Sequence, residues 1–299
     1  MGRDRERVGE PTQHQRFPRP LRTQVARFAA LLLGAFALGG CAYWTEKQGE
    51  LIFRPTKEAF WGYNRANLAT APEEHWIPVG TEGHQLNAWW MKADDPNAPA
   101  ILYLHGARWN LTGSASRIDR WRRLGFNVLA IDYRGFGKST DVIPTEELAY
   151  EDADAAWKYL GQLVPGKPRY IVGHSLGGAV ATELAARRPE AAGLVLEATF
   201  TSVSDMVANT TWGFLPVDLI LTQNFNALKR IAEVKVPVVV VHGTRDTVVP
   251  LEMGERLYAA ATAPKQMVRV EGGSHHNLSS MGYEQYRAAI EKLLKSARS

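Results

Sequence analysis

Ser175 stands in the run Gly173-His174-Ser175-Leu176-Gly177-Gly178, a G-x-S-x-G pattern. A serine hydroxyl is a weak nucleophile and needs a base within hydrogen-bond reach. The base in turn needs a carboxylate to fix its tautomer and stabilise the imidazolium. Two acids qualify by position. Asp246 lies in a short loop closed by Pro250 after the apolar run 236–242, and Glu197 ends the run 193–197. Two bases qualify, the neighbours His275 and His276, both just after the run 266–270. Adjacent residues point differently, so only one of them can face Ser175. A further reactive side chain is Cys41, the single cysteine. It allows no intrachain disulfide and no cysteine-based zinc site. His105, His174 and His242 lack the spacings of a metal-ligand set, so no metal is expected.

These residues need a scaffold. Strands are predicted over 75–80, 85–91, 100–105, 127–132, 169–173, 193–197, 236–242 and 266–270, and helices over 114–124, 145–160, 176–187, 252–262 and 281–296. The later strands are nearly continuous in Val, Ile and Leu, as strands buried on both faces of a parallel sheet must be. The first two are more polar and are joined by Thr81-Glu82-Gly83-His84, which reads as an antiparallel hairpin at one edge. Strand-helix alternation with right-handed crossovers gives an α/β fold, a three-layer α/β/α sandwich on a mostly parallel eight-stranded sheet. Residues 201–232 break the alternation and are rich in apolar side chains, which suggests a small cap over the carboxyl ends of the strands. The strand before Ser175 and the alanine-rich helix after it are the context the serine motif requires.

Of 299 residues, 45% are hydrophobic and 22% charged, enough for a large core and incompatible with a disordered chain. The net charge of +4 is concentrated at the start: residues 1–40 hold seven Arg and three acids, while the other 259 carry 28 basic and 28 acidic side chains. A neutral body has no electrostatic reason to bind nucleic acid. The Arg-rich start precedes the apolar run Phe28–Gly40, 13 residues long, short of the ~20 that span a bilayer. That is the form of an export signal over residues 1–40. Leu38-Gly39-Gly40-Cys41 resembles the bacterial lipobox, which implies a lipid on the Cys41 thiol and attachment to the cell envelope. Ala42 after the cysteine implies, by resemblance to sorting rules, the outer rather than the inner membrane, facing the periplasm. Residues 41–74 then form an approach segment and 75–299 the main domain.

From about residue 75 onward the chain resembles the α/β-hydrolase superfamily, and within it the branch of serine aminopeptidase-like and depalmitoylase-like proteins. The matching blocks are Leu104-His105-Gly106, Asp132-Tyr133-Arg134-Gly135-Phe136-Gly137-Lys138-Ser139, the Ser175 block, Phe200-Thr201-Ser202-Val203, residues 242–250 and Glu271-Gly272-Gly273-Ser274-His275. The family's chain order is Ser, acid, His, which favours Asp246 over Glu197. Its glycine-rich block puts His275 in register ahead of His276. The resemblance also implies an oxyanion hole from the amides of Leu176 and Ala107. Where many relatives carry Gly or Asn, this chain departs with Ala107-Arg108-Trp109-Asn110, so Arg108 and Trp109 are expected to project towards the substrate. By the same reading His105 braces the oxyanion loop, His174 is structural, and Asp132 braces its turn through Arg134 or Gly135.

The function expected is a cofactor-independent serine hydrolase acting on a small acyl substrate with a hydrophobic group. Carboxylic esters come first, thioesters next and amides third. A peptidase or acyltransferase could use the same scaffold. A non-catalytic envelope lipoprotein is the reading from another class, and the ordered Ser175, Asp246 and His275 argue against it.

Overall fold

The computed structural model describes residue 40, residues 43–210 and residues 220–296. Two compact units are distinguished, Met1–Trp44 and Thr45–Ser299. Of the first, residues 40, 43 and 44 are described, all helical. Cys41 lies outside the described residues, as does nearly all of the predicted export signal. No helix among the described residues is long and apolar enough to cross a membrane.

The second unit opens with a helix, α1, whose residues 45–53 lie in this unit. Then come β1 (Glu73–Val79), β2 (His84–Met91), β3 (Ala100–Leu104), α2 (Leu111–Arg123), β4 (Asn127–Ile131), α3 (Glu146–Leu163) and β5 (Arg169–His174). They are followed by α4 (Leu176–Arg187), β6 (Gly193–Glu197), α5 (Val203–Ala208), α6 (Ala227–Ile231), β7 (Val238–Gly243), α7 (Leu251–Ala260), β8 (Lys265–Val270), α8 (Leu278–Met281) and α9 (Tyr283–Ser296). The sheet has eight strands in the order β1-β2-β4-β3-β5-β6-β7-β8. β1 pairs antiparallel with β2 and β2 with β4; the pairs from β4 onward are parallel. The polar edge hairpin and the apolar parallel strands thus take the places their composition predicts. β3, β4, β6 and β7 are buried along their whole length, because helices cover both faces. The core is accordingly two clusters, one on each side of the sheet.

Two boundaries differ from the sequence expectation. The compact unit starts at Thr45, not near residue 75. Phe53 is fully buried, edge-on to Phe225 at 5.5 Å and to Phe136 at 6.2 Å, so the approach segment contributes to the core. Part of the stretch 201–232 also belongs to the core. Phe225, Ala227 and Ile231 belong to the main core, and residues 211–219 of that stretch lie outside the described residues.

Candidate active site

β5 ends at His174 and α4 begins at Leu176, so the chain reverses direction on Ser175 alone. Ser175 takes φ 55° and ψ −121°, a conformation that is costly for a residue with a side chain. The surroundings hold it there. The Ser175 amide donates to the Glu197 carbonyl at 2.9 Å and its carbonyl accepts from the Gly178 amide at 2.9 Å. A side chain at Gly173 would strike the Gly177 carbonyl, and one at Gly177 would strike the carbonyls of Leu104 and His105. The glycines of the motif therefore serve close backbone crossing. The result presents Ser175 at the N-terminus of α4, where free amides and the helix dipole favour developing negative charge.

Asp246 and His275 come from the loops after β7 and β8. These loops are stitched together by Arg245 N to Gly273 O at 2.9 Å and Thr244 N to Val270 O at 3.0 Å. A side chain at Gly243 would strike the Gly273 carbonyl, so the two turns lie in direct contact. His275 Nδ1 is 2.8 Å from Asp246 Oδ2. Asp246 Oδ1 accepts from the amides of Val248 and Val249, both at 2.8 Å. Burial pushes the Asp246 carboxyl up, but the hydrogen bond and charge of His275 and the two valine amides outweigh it and hold the group below its ordinary value. The carboxylate is therefore ionised, oriented and fully buried.

Of the two candidate bases, His275 is the one that meets a carboxylate. His276 is exposed and stands edge-on to the His275 ring at 5.4 Å. Burial and the charges of His275 and Arg117 lower its pKa. Glu197 turns to the other side. Its carboxylate is completely buried and accepts from Trp121 Nε1 of α2 at 3.1 Å, while its backbone holds the Ser175 amide. Burial raises the Glu197 pKa against the pull of Arg117.

His174 lies under His275, with ring centres 4.8 Å apart and its Nε2 3.2 Å from the His275 carbonyl. Burial, then the Arg117 and His275 charges, push its pKa well below the ordinary imidazole value, so it is a neutral support. His105 Nδ1 is 2.7 Å from the Gly106 carbonyl, and its ring is wedged edge-on against Tyr133 and Phe136. Asp132 departs from expectation. It accepts from the Leu111 amide at 2.7 Å and lies 3.5 Å from His105 Nε2. Arg134 goes instead to Asp152 at 2.6 Å and Glu151 at 2.5 Å. The reason is geometric: Asp132 sits at the end of β4 beside the start of α2, and α3 offers Arg134 its own acids.

Gly106 packs against the elbow; a Cβ there would lie 3.1 Å from the Ser175 Cβ. The next amide is that of Ala107. Among the described residues, neither this amide nor that of Leu176 donates to an acceptor, so both remain available to a ligand. Two cavities among the described residues, of about 640 Å³ and about 310 Å³, lie along residues 57–74 and α2, and Ser175 lines neither of them.

Arg117 is a residue the sequence reading did not single out. It is 7% exposed and donates from Nη2 to the carbonyls of His275 at 2.8 Å and His276 at 3.0 Å. Its Nε lies 3.8 Å from Glu197 Oε2. Trp121, one helical turn on, reaches the same carboxylate. The available signal was this Arg-Trp pair at i, i+4 on a predicted helix that must pack on the sheet.

The profile of a family described as serine aminopeptidase, S33 (Hydrolase_4) matches residues 95–225. An uncharacterized protein of Mycobacterium tuberculosis is 37% identical over 251 residues, covering 82% of this chain and 86% of the relative. The chain belongs to the α/β-hydrolase superfamily. The lysophosphatidylserine lipase ABHD12 of Danio rerio is 31% identical over 232 residues, covering 67% of this hydrolase and 60% of that protein. Among solved structures, an esterase of Pyrococcus furiosus superposes with a TM-score of 0.64 at 21% identity, over 81% of the hydrolase and 97% of the esterase. Est1E of Butyrivibrio proteoclasticus, in a structure with bound ferulic acid, gives 0.62 at 19% identity, over 75% and 98%. At those identities the likeness concerns the fold.

Proposed function

We propose that this hydrolase cleaves carboxylic esters through a covalent acyl-enzyme on Ser175. The observation that carries the reading is the 2.8 Å contact between His275 Nδ1 and Asp246 Oδ2, at the edge where the elbow presents Ser175. With Nδ1 committed to Asp246, Nε2 is the nitrogen left to accept the serine proton. Ser175 Oγ attacks the acyl carbon as His275 takes that proton. The tetrahedral oxyanion is held by the Leu176 and Ala107 amides, where one donor is typically worth about 3 kcal/mol of transition-state stabilisation. Collapse expels the alcohol, which takes the proton from His275. Water then attacks the acyl-serine by the same route and releases the acid.

An ester with a hydrophobic acyl group is the substrate class. In support, one relative is named as a lysophosphatidylserine lipase and solved neighbours of the same fold are titled esterases. Thioesters are the next candidates by the same chemistry. Replacing Ser175 by Ala abolishes p-nitrophenyl butyrate hydrolysis on this account; turnover at the wild-type rate would remove it.

The lipobox-like Leu38-Gly39-Gly40-Cys41 supports a second part of the reading, that the mature hydrolase is anchored by lipid on Cys41 in a bacterial envelope, facing the periplasm. Incorporation of labelled palmitate tests it, and labelling that persists in Cys41→Ala counts against it.

A further inference from the structure

Arg108 follows the oxyanion residue Ala107 and has φ 81°. Glycine enters that region freely; a residue with a side chain enters it at a cost. Both backbone groups of Arg108 are clamped by the end of α1 and the segment that follows it. Its amide donates to the Phe53 carbonyl at 2.7 Å and its carbonyl accepts from Thr56 Oγ1 at 2.8 Å. A glycine would satisfy that clamp equally well. What arginine adds at this strained position is its guanidinium.

The residue is solvent-exposed, and its side chain has no hydrogen-bond or ion-pair partner among the described residues. Its location is next to the chemistry. Two positions earlier, Gly106 abuts Ser175. The Arg108 charge reaches His276, where it opposes protonation, and His276 touches His275 edge-on. Beside it Trp109, 36% exposed, is braced edge-on by Phe60 at 5.0 Å. Among the described residues, the mouth of the site therefore offers a cation with no side-chain partner, next to an aromatic surface.

We propose that Arg108 is a specificity residue, binding a carboxylate or phosphate that the substrate carries near its scissile ester. The proposal rests on the acyl-transfer reading of Ser175. A guanidinium offers paired donors that match either oxyacid in a two-point contact. With Trp109 alongside, the substrate class is an amphiphilic, anionic ester.

The test compares kcat/KM for matched esters in the wild type and in Arg108→Gly, Arg108→Gln and Arg108→Lys. One pair is p-nitrophenyl hemisuccinate against p-nitrophenyl butyrate. The other is a monoacylglycerol phosphate against the monoacylglycerol of the same chain length. Carboxylate recognition appears in the first pair and phosphate recognition in the second. The anionic-to-neutral ratio is expected to fall at least about tenfold in the Gly and Gln variants for at least one pair, and less in the Lys variant. Glycine accepts the φ 81° backbone, so it removes the charge without distorting the loop. An unchanged ratio for both pairs overturns the proposal. Ser175→Ala is assayed in parallel: turnover that survives there refutes the acyl-transfer reading itself, whereas a dead Ser175→Ala with unchanged ratios refutes only the role of Arg108.

Discussion

Arg117 Nη2 donates to the carbonyl of His275 at 2.8 Å while its Nε faces Glu197 Oε2 at 3.8 Å. One buried guanidinium thus ties the loop of the proposed base to the strand end that holds the Ser175 amide. Replacing Arg117 by Met removes this tie and leaves a buried acid without its cation. The expected cost is about 3–5 kcal/mol of stability, with a fall in kcat of up to about a hundredfold as the histidine loop shifts. Arg117→Met/Glu197→Leu removes both charges and should recover most of the stability. Denaturant titration of the two variants is the check; equal loss in both would show that the pair is not coupled.

His275 and His276 separate by activity. His275→Ala should lose about six orders of magnitude in kcat, as loss of a triad histidine does. His276→Ala, which removes an exposed ring with no carboxylate hydrogen-bonded to it among the described residues, should stay within about tenfold of wild type. Steady-state ester hydrolysis distinguishes them. The opposite ranking would mean that the loop after β8 presents His276 to the serine.

Asp246 links the site to acid stability. Its pKa lies below the ordinary aspartate value of 3.8 in the folded protein, so the ionised carboxylate stabilises the fold above that value. This contribution disappears as the pH falls through the lowered, folded-state pKa. Asp246→Asn should therefore be less stable than wild type near neutral pH, and the gap should narrow as the pH drops below about 4. Thermal unfolding across that range measures it. A gap independent of pH would mean that the carboxylate is not held in its charged form.

Phe53 tests where the folded unit begins. Its ring is fully buried against Phe136 and Phe225, and its carbonyl holds the Arg108 amide. Phe53→Ala should cost about 3–5 kcal/mol, measured by chemical unfolding. A loss under about 1 kcal/mol would return residues 45–74 to the status of an appendage.

The sheet was legible because each strand carries its environment in its pattern. Residues 238–243 are all apolar or small until His242 and are buried throughout, whereas β1 keeps polar residues and lies at the edge. Ser175 was legible because the glycines around it have a backbone reason to be there. Phe53 was not, because the aromatics of residues 43–63 follow neither a helical nor an alternating period. Asp132 was misread because its partners, the Leu111 amide and His105, are distant in sequence, while Arg134 is two residues away. Arg117 was missed for a similar reason: 158 positions separate it from the carbonyl it holds.

The central claim is that Ser175 is the nucleophile activated by His275. Labelling with a fluorophosphonate probe, followed by mass spectrometry of the modified peptide, tests it most directly. The account predicts one phosphonylated residue, Ser175, with labelling absent in Ser175→Ala and strongly slowed in His275→Ala. Labelling at another residue, or undiminished labelling of Ser175→Ala, would contradict it.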